Sequence, residues 1–103
     1  MSNRRRLPNR RGSITFDLEA LGLTFTVTAS KFNGGELGEV FIQNGKTNSA
    51  AGILASDSAI AASLALQFGC PVEVLSRALS RDSAGDPTGP LGRALDQIIG
   101  GRP

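Results

Sequence analysis

Residues 14–19 read Ile-Thr-Phe-Asp-Leu-Glu, and residues 23–29 read Leu-Thr-Phe-Thr-Val-Thr-Ala. In both segments apolar side chains alternate with polar ones, and a period of two is typical of a β-strand with one buried face. The threonines also favour a strand, because their branched Cβ fits a pleated surface. Gly22 lies between the two segments, so we predict an antiparallel pair that turns at this residue.

The rest of the chain predicts one more strand and three helices. Asn-Gly-Gly at residues 33–35 indicates a second turn, and Val-Phe-Ile at residues 40–42 indicates a short third strand. The predicted helices run from a cap at Asn48 or Ser49 to about Phe68, onward from Pro71, and from Pro90 to Gly100. The sequence therefore predicts an α+β fold, a three-stranded antiparallel meander followed by three helices packed on one sheet face (β-β-β-α-α-α), with the other sheet face in water.

The apolar spacing in the helices predicts which of their faces are buried. In the first helix large apolar residues recur at spacings of four and seven positions, so we expect them to face the sheet. The expected inward residues are Ile53, Ile60, Leu64 and Phe68 in the first helix, Val74, Leu75, Ala78 and Leu79 in the second, and Leu91, Leu95, Ile98 and Ile99 in the third.

Basic charge is concentrated at the N-terminus. Five of the eleven Lys and Arg residues fall within the first eleven positions, and no acid interrupts them. The remainder has six basic against nine acidic residues, so a basic segment is attached to a mildly acidic body. We predict a flexible arm at residues 1–12 and a single α+β domain at residues 13–103. The arm arginines are Arg4, Arg5, Arg6, Arg10 and Arg11.

The residues that are missing exclude most kinds of catalysis. The chain has no His, Tyr or Trp, and Cys70 is its only cysteine. Without His, neutral-pH proton transfer would need a carboxylate or a lysine with a strongly shifted pKa, the Ser-His-Asp and Cys-His arrangements have no base, and a zinc site lacks ligands. We therefore expect no enzyme, no catalytic residues, no metal and no cofactor. A lone cysteine and the lack of an unbroken apolar run of about eighteen residues predict a cytoplasmic protein without a membrane segment.

Three segments together resemble a known family. They are Leu-Pro-Asn-Arg-Arg at residues 7–11, Gly-Glu-Leu-Gly-Glu-Val-Phe-Ile at residues 35–42 followed by Lys46, and residues 59–73, which end in Phe-Gly-Cys-Pro-Val-Glu; Gly-Pro-Leu-Gly at residues 89–92 is a weaker echo. This pattern is similar to the TSCPD-type C-terminal region of adenosylcobalamin-dependent (class II) ribonucleotide reductases, in a short free-standing form. The resemblance implies the fold and an accessory role. The reductases' catalytic barrel and the cysteine motif that names the domain are absent here, so the resemblance does not imply the reaction.

Two hypotheses of function follow. In the first, the chain is a non-catalytic accessory domain that binds nucleic acid, DNA in the first place, through the arm arginines, with Lys31 and Lys46 extending the basic surface. In the second, it is an interaction or regulatory subunit that docks on a ribonucleotide reductase or on an acidic surface of another protein, with the arm as the docking peptide. Stand-alone reductase activity is a third and weaker alternative. A homodimer is compatible with either leading hypothesis, because the last helix would leave apolar surface uncovered at Leu95, Ile98 and Ile99.

Overall fold

A computed structural model describes residues 3–9, 12–45 and 49–100 of the chain. Within these residues three strands are followed by three helices, as the sequence predicts. The elements are β1 (Ser13–Ala20), β2 (Leu23–Lys31), β3 (Leu37–Asn44), α1 (Ala50–Gln67), α2 (Val72–Ala78) and α3 (Pro90–Gly100). The third strand is longer than predicted. The predicted cap is confirmed, since the Ser49 side chain accepts a hydrogen bond from the Gly52 N–H at 3.0 Å.

The strands form one antiparallel sheet in the order β1-β2-β3. The turn between β1 and β2 has positive φ at both central residues, Leu21 and Gly22, which is the conformation that matches the twist of a two-residue hairpin. Side chains on the inner sheet face form the core with the helices. Those on the outer face form cross-strand hydrogen bonds, among them Thr26 to Asp17 at 2.9 Å. The predicted alternation between a buried face and a wet face is therefore confirmed.

Helix α1 covers the edge of β3 through two polar side chains. Ser63 Oγ lies 2.9 Å from both the N–H and the carbonyl oxygen of Val40, and Gln67 Nε2 donates to the carbonyl of Gly38 at 2.9 Å. Four helical residues advance about 6 Å, and two strand residues advance about 6.6 Å, so the two spacings match. Both side chains are buried. They satisfy main-chain groups of β3 that have no further strand to pair with.

The predicted orientation of α1 is wrong. The helix buries Ala55, Ala59, Ala62, Ser63, Leu66 and Gln67. The predicted inward residues Ile53, Ile60, Leu64 and Phe68 are instead 39–48% exposed. The cause is steric and polar, because alanines allow the helix axis to approach the sheet closely and the bonds from Ser63 and Gln67 fix its rotation.

The predicted faces of α2 and α3 are confirmed in part. In α3, Leu91 and Leu95 are buried and Ile98 packs against the core, while Ile99 is 42% exposed. In α2, Leu75 and Leu79 pack against the core, while Val74 is 51% exposed and Ala78 is also exposed. The apolar surface that we expected on the last helix is therefore small, whereas α1 and its C-terminal end carry five of the ten exposed large apolar side chains of the described residues.

By length and composition α1 could cross a membrane, since its 18 residues have a mean hydropathy of 1.3. A core helix of a soluble protein meets the same two criteria, and one face of α1 packs on the sheet. The absence of a membrane partner stays a prediction.

Candidate interaction surfaces

The described part of the arm, residues 3–9, contacts the body of the domain. The Arg5 guanidinium lies 3.8 Å from the ring centroid of Phe32, and its Nη1 pairs with Glu36 Oε1 at 3.1 Å. The main-chain N–H of Arg5 donates to the carbonyl of Gln67 at 2.7 Å. Phe32 is buried, so the cation lies on an aromatic ring that is fixed by the core. The stacking contact stabilises the docked arm more than the ion pair, since both charged side chains of that pair are about half exposed or more.

Gln67 connects the arm, the helix and the sheet. Its side-chain Oε1 accepts from Arg4 Nε at 2.6 Å, and its Nε2 donates to Gly38 in β3. Its own carbonyl accepts from Arg5. The side-chain oxygen and the main-chain carbonyl of Gln67 thus hold the arm at the C-terminal end of α1, while its side-chain nitrogen holds the helix on β3.

A groove of about 600 Å³ lies next to this contact. It is bounded by the arm, the turn between β2 and β3, the end of α1, the start of α2 and the end of α3. Two cations, Arg5 and Lys31, and two acids, Glu36 and Glu73, line it together with apolar side chains. Because its charges are mixed, the groove does not form a uniformly basic surface.

Cys70 also lines this groove and is half-buried, with its Sγ 3.6 Å from the carbonyl of Pro71. No group of three or more His, Cys, Asp or Glu side chains suited to a metal ion occurs among the described residues.

The structure brings together some of the predicted binding residues. Arg5 and Lys31 line the groove, Arg4 bonds to Gln67 beside it, and Arg6 is exposed to solvent. The other three, Arg10, Arg11 and Lys46, lie outside the described residues. The nucleic-acid site as a whole stays a prediction.

The exposed side of α1 forms an apolar surface that holds five of the ten exposed large apolar side chains of the described residues. We call it the α1 face: Ala50, Ile53, Leu54, Asp57, Ile60, Ala61, Leu64 and Phe68, all of which are exposed. Five of these side chains are large and apolar, with 39–69% of each exposed, and Asp57 is the one charge of the helix. Exposed apolar patches of about 300–600 Å² on a monomer are often functional.

Sequence reasoning missed Phe32, Ser63 and Gln67 as positioning residues. A signal for two of them was present, since Ser63 and Gln67 lie four residues apart in a largely apolar helix and so project from the same face. No comparable signal marked Phe32, because its partner Arg5 lies far from it in the sequence.

The molecule is thus a small α+β domain with two surfaces suited to binding. The family model for the TSCPD domain matches residues 4–100, and the chain belongs to this family. The resemblance found in the sequence is therefore confirmed. The match begins at Arg4, so it includes the arm residues that contact Gln67 and Phe32.

A curated relative is a much longer protein. The chain is 37% identical over 70 residues to a vitamin B12-dependent ribonucleotide reductase of Agrobacterium fabrum (strain C58). These residues are 68% of this chain and 6% of the relative. No solved structure matches.

Proposed function

We propose that this chain is a non-catalytic accessory domain that docks on another protein through the α1 face. The observation that carries the proposal is the composition of that face, which has five large exposed apolar side chains and one charge on a helix whose other side is buried. Burying such a surface against a partner gains about 25 cal/mol per Å² of apolar area. Solvent-facing helices ordinarily carry charged and polar residues there instead.

The partner that fits this face is apolar and has a cation opposite Asp57. A second α1 face fits it poorly, because α1 has no basic residue and would bring Asp57 against apolar side chains. An unpaired carboxylate buried in this way costs several kcal/mol. A TSCPD domain that forms a small part of a longer reductase has neighbouring segments in the same polypeptide, and this supports a reductase as the first partner to test.

The test is isothermal titration of the chain into a purified vitamin B12-dependent ribonucleotide reductase. Ile60→Glu places a second negative charge at the centre of the α1 face without disturbing a buried residue, because Ile60 is 47% exposed. We expect at least about tenfold weaker binding, which corresponds to about 1.4 kcal/mol.

The matched control is Leu21→Glu, which adds the same charge at a more exposed apolar residue in the turn between β1 and β2. It should bind within about twofold of the wild type. Equal binding by Ile60→Glu and the wild type would refute the role of the α1 face, and no binding by the wild type would exclude the reductase as partner.

Nucleic-acid binding through the arm is a second candidate function. The charge pattern favours it, because the five arginines of the arm have no acid among them and Arg6 is exposed. Against it, Arg4 and Arg5 already bond to the body, and an arginine must leave or share those partners to bind phosphate. Nucleic-acid binding is therefore supported only by the charge pattern of the arm, whereas protein docking is supported by the exposed apolar α1 face.

A further inference from the structure

The two edges of the sheet differ in how they are covered. The outer edge of β3 is bonded to Ser63 and Gln67 of α1. On the outer edge of β1, Arg93 is the one group of the described residues that forms a hydrogen bond, donating to the carbonyl of Glu19 at 3.1 Å. An uncovered strand edge is a template for pairing with another strand.

The register shows which main-chain groups point away from the sheet. Lys31 N–H donates to Gly12, and the pairing then alternates along β1, so the N–H and carbonyl groups of Ile14, Phe16 and Leu18 face β2. Those of Ser13, Thr15, Asp17 and Glu19 face outward. The bond from Arg93 to Glu19 agrees with this assignment.

Apolar side chains lie along β1 on the inner face of the sheet, and they become more exposed towards the N-terminal end of this strand. On the inner face, Leu18 is 8% exposed, whereas Phe16 is only partly buried and Ile14 is 49% exposed. Helix α3 contacts β1, and the exposure rises towards Ser13. Within the part of the chain that the structure describes, the segment from Ser13 to Asp17 is therefore uncovered along its edge, and its apolar face is exposed at Ile14.

We propose that two copies of this chain pair antiparallel through Ser13–Asp17, joining two three-stranded sheets into one. Arg93 occupies the carbonyl of Glu19, so the free segment is centred on Thr15. With Thr15 opposite its own counterpart, Ser13 lies opposite Asp17 of the second copy, and about six main-chain hydrogen bonds form.

The side chains are complementary in this register. Ile14 lies opposite Phe16 of the second copy, so the partly exposed apolar pairs cover one another on the inner face. No two like charges lie directly opposite. A register centred on Asp17 would instead bring two carboxylates together, and this disfavours it.

The described part of the arm does not obstruct this edge. Arg4 contacts Gln67, and Arg5 contacts Phe32 and Glu36. These three partners lie towards β3, whereas the open edge is that of β1, at the opposite end of the strand order. The pairing also leaves the α1 face free, so it is independent of the protein docking proposed above.

The test is sedimentation equilibrium of the full chain up to high micromolar concentration. The wild type should reach twice the mass of one chain. Ile14→Lys should remain monomeric, whereas the matched control Ile53→Lys should dimerise like the wild type, since the two isoleucines are 49% and 48% exposed. A monomeric wild type, or a dimer abolished by Ile53→Lys and not by Ile14→Lys, would overturn the proposal.

Amide hydrogen exchange supplies a second readout that needs no variant. At high concentration the N–H groups of Ser13, Thr15 and Asp17 should gain protection at least tenfold relative to dilute protein, because they become bonded across the pair. The Thr24 and Gln43 amides serve as internal references away from this edge. Protection that does not change with concentration at these three residues would contradict the pairing.

Discussion

Gly38 shows how one residue fixes the contact between the arm and the sheet. A Cβ built at this position would lie 2.8 Å from two ring carbons of Phe32. The same ring carries the Arg5 guanidinium, and the Gly38 carbonyl accepts from Gln67. The absence of a side chain at Gly38 therefore allows Phe32 to occupy the place where the arm docks.

We predict that Gly38→Ala lowers the free energy of unfolding by about 1–3 kcal/mol, because the buried Phe32 ring must move out of its packed position. Urea denaturation measures the change. Gly45→Ala is the control, since Gly45 follows the same strand and a Cβ there meets nothing within 4 Å. Equal stability of Gly38→Ala and the wild type would show that the ring relocates freely.

At the scale of the element, α1 is oriented by polar bonds rather than by its largest apolar side chains. Ser63 Oγ accepts from the N–H of Val40, which is fully buried, and its one proton is shared between the carbonyls of Val40 and Ala59, both at 2.9 Å. Without the hydroxyl, the Val40 N–H would be left unsatisfied in the core, at a cost of about 1–3 kcal/mol. The rotation of the helix about its axis therefore depends on this residue.

We predict that Ser63→Ala lowers the free energy of unfolding by about 1–3 kcal/mol and shifts the urea midpoint accordingly. Ser58→Ala in the same helix is the matched control. Its hydroxyl bonds only to the carbonyl of Ala55 within the helix, so the change should stay within about 0.5 kcal/mol. The role of Ser63 would be disproved by a loss no larger than that of Ser58→Ala.

Most helices, strands and turns could be predicted from the sequence, but not every helix face. The first two strands, the hairpin turn at Gly22, the cap at Ser49 and the bounds of α3 follow from local periodicity and local turn chemistry, and the structure has them where predicted, whereas β3 is longer than predicted. The buried face of α1 does not follow, because an apolar count cannot weigh bonds from Ser63 and Gln67 to a distant strand. The contact of Arg5 with Phe32 could not be predicted either, because the two residues lie far apart in the sequence.

In the molecule as a whole, the basic arm is held against the body of the domain by hydrogen bonds, an ion pair and a ring contact. Arg4 and Arg5 contact the same region that bounds the groove, and the family match also begins at Arg4. Deleting the arm would therefore remove contacts to Gln67 and Phe32 together with its charge. A loss of binding on deletion could not be assigned to charge alone, so point variants that keep Arg4 and Arg5 are the better test.

We predict that, if the arm binds nucleic acid, the triple variant Arg6→Ala, Arg10→Ala and Arg11→Ala weakens binding to labelled duplex DNA and reduces the salt dependence. Each lost phosphate contact lowers the slope of log K against log salt by about 0.9, so three contacts lower it by about 2.7. Fluorescence anisotropy at several salt concentrations, with duplex DNA and RNA, measures both effects.

Arg77→Ala is the control for this triple variant, because Arg77 is exposed and bonds only locally, to the carbonyl of Glu73. It should change the slope by less than one phosphate contact, since a cation outside the arm is not expected to reach the same phosphates. An unchanged slope in the triple variant would exclude Arg6, Arg10 and Arg11 as phosphate contacts. An equal loss in Arg77→Ala would instead indicate attraction to the net charge of the chain, without a defined site.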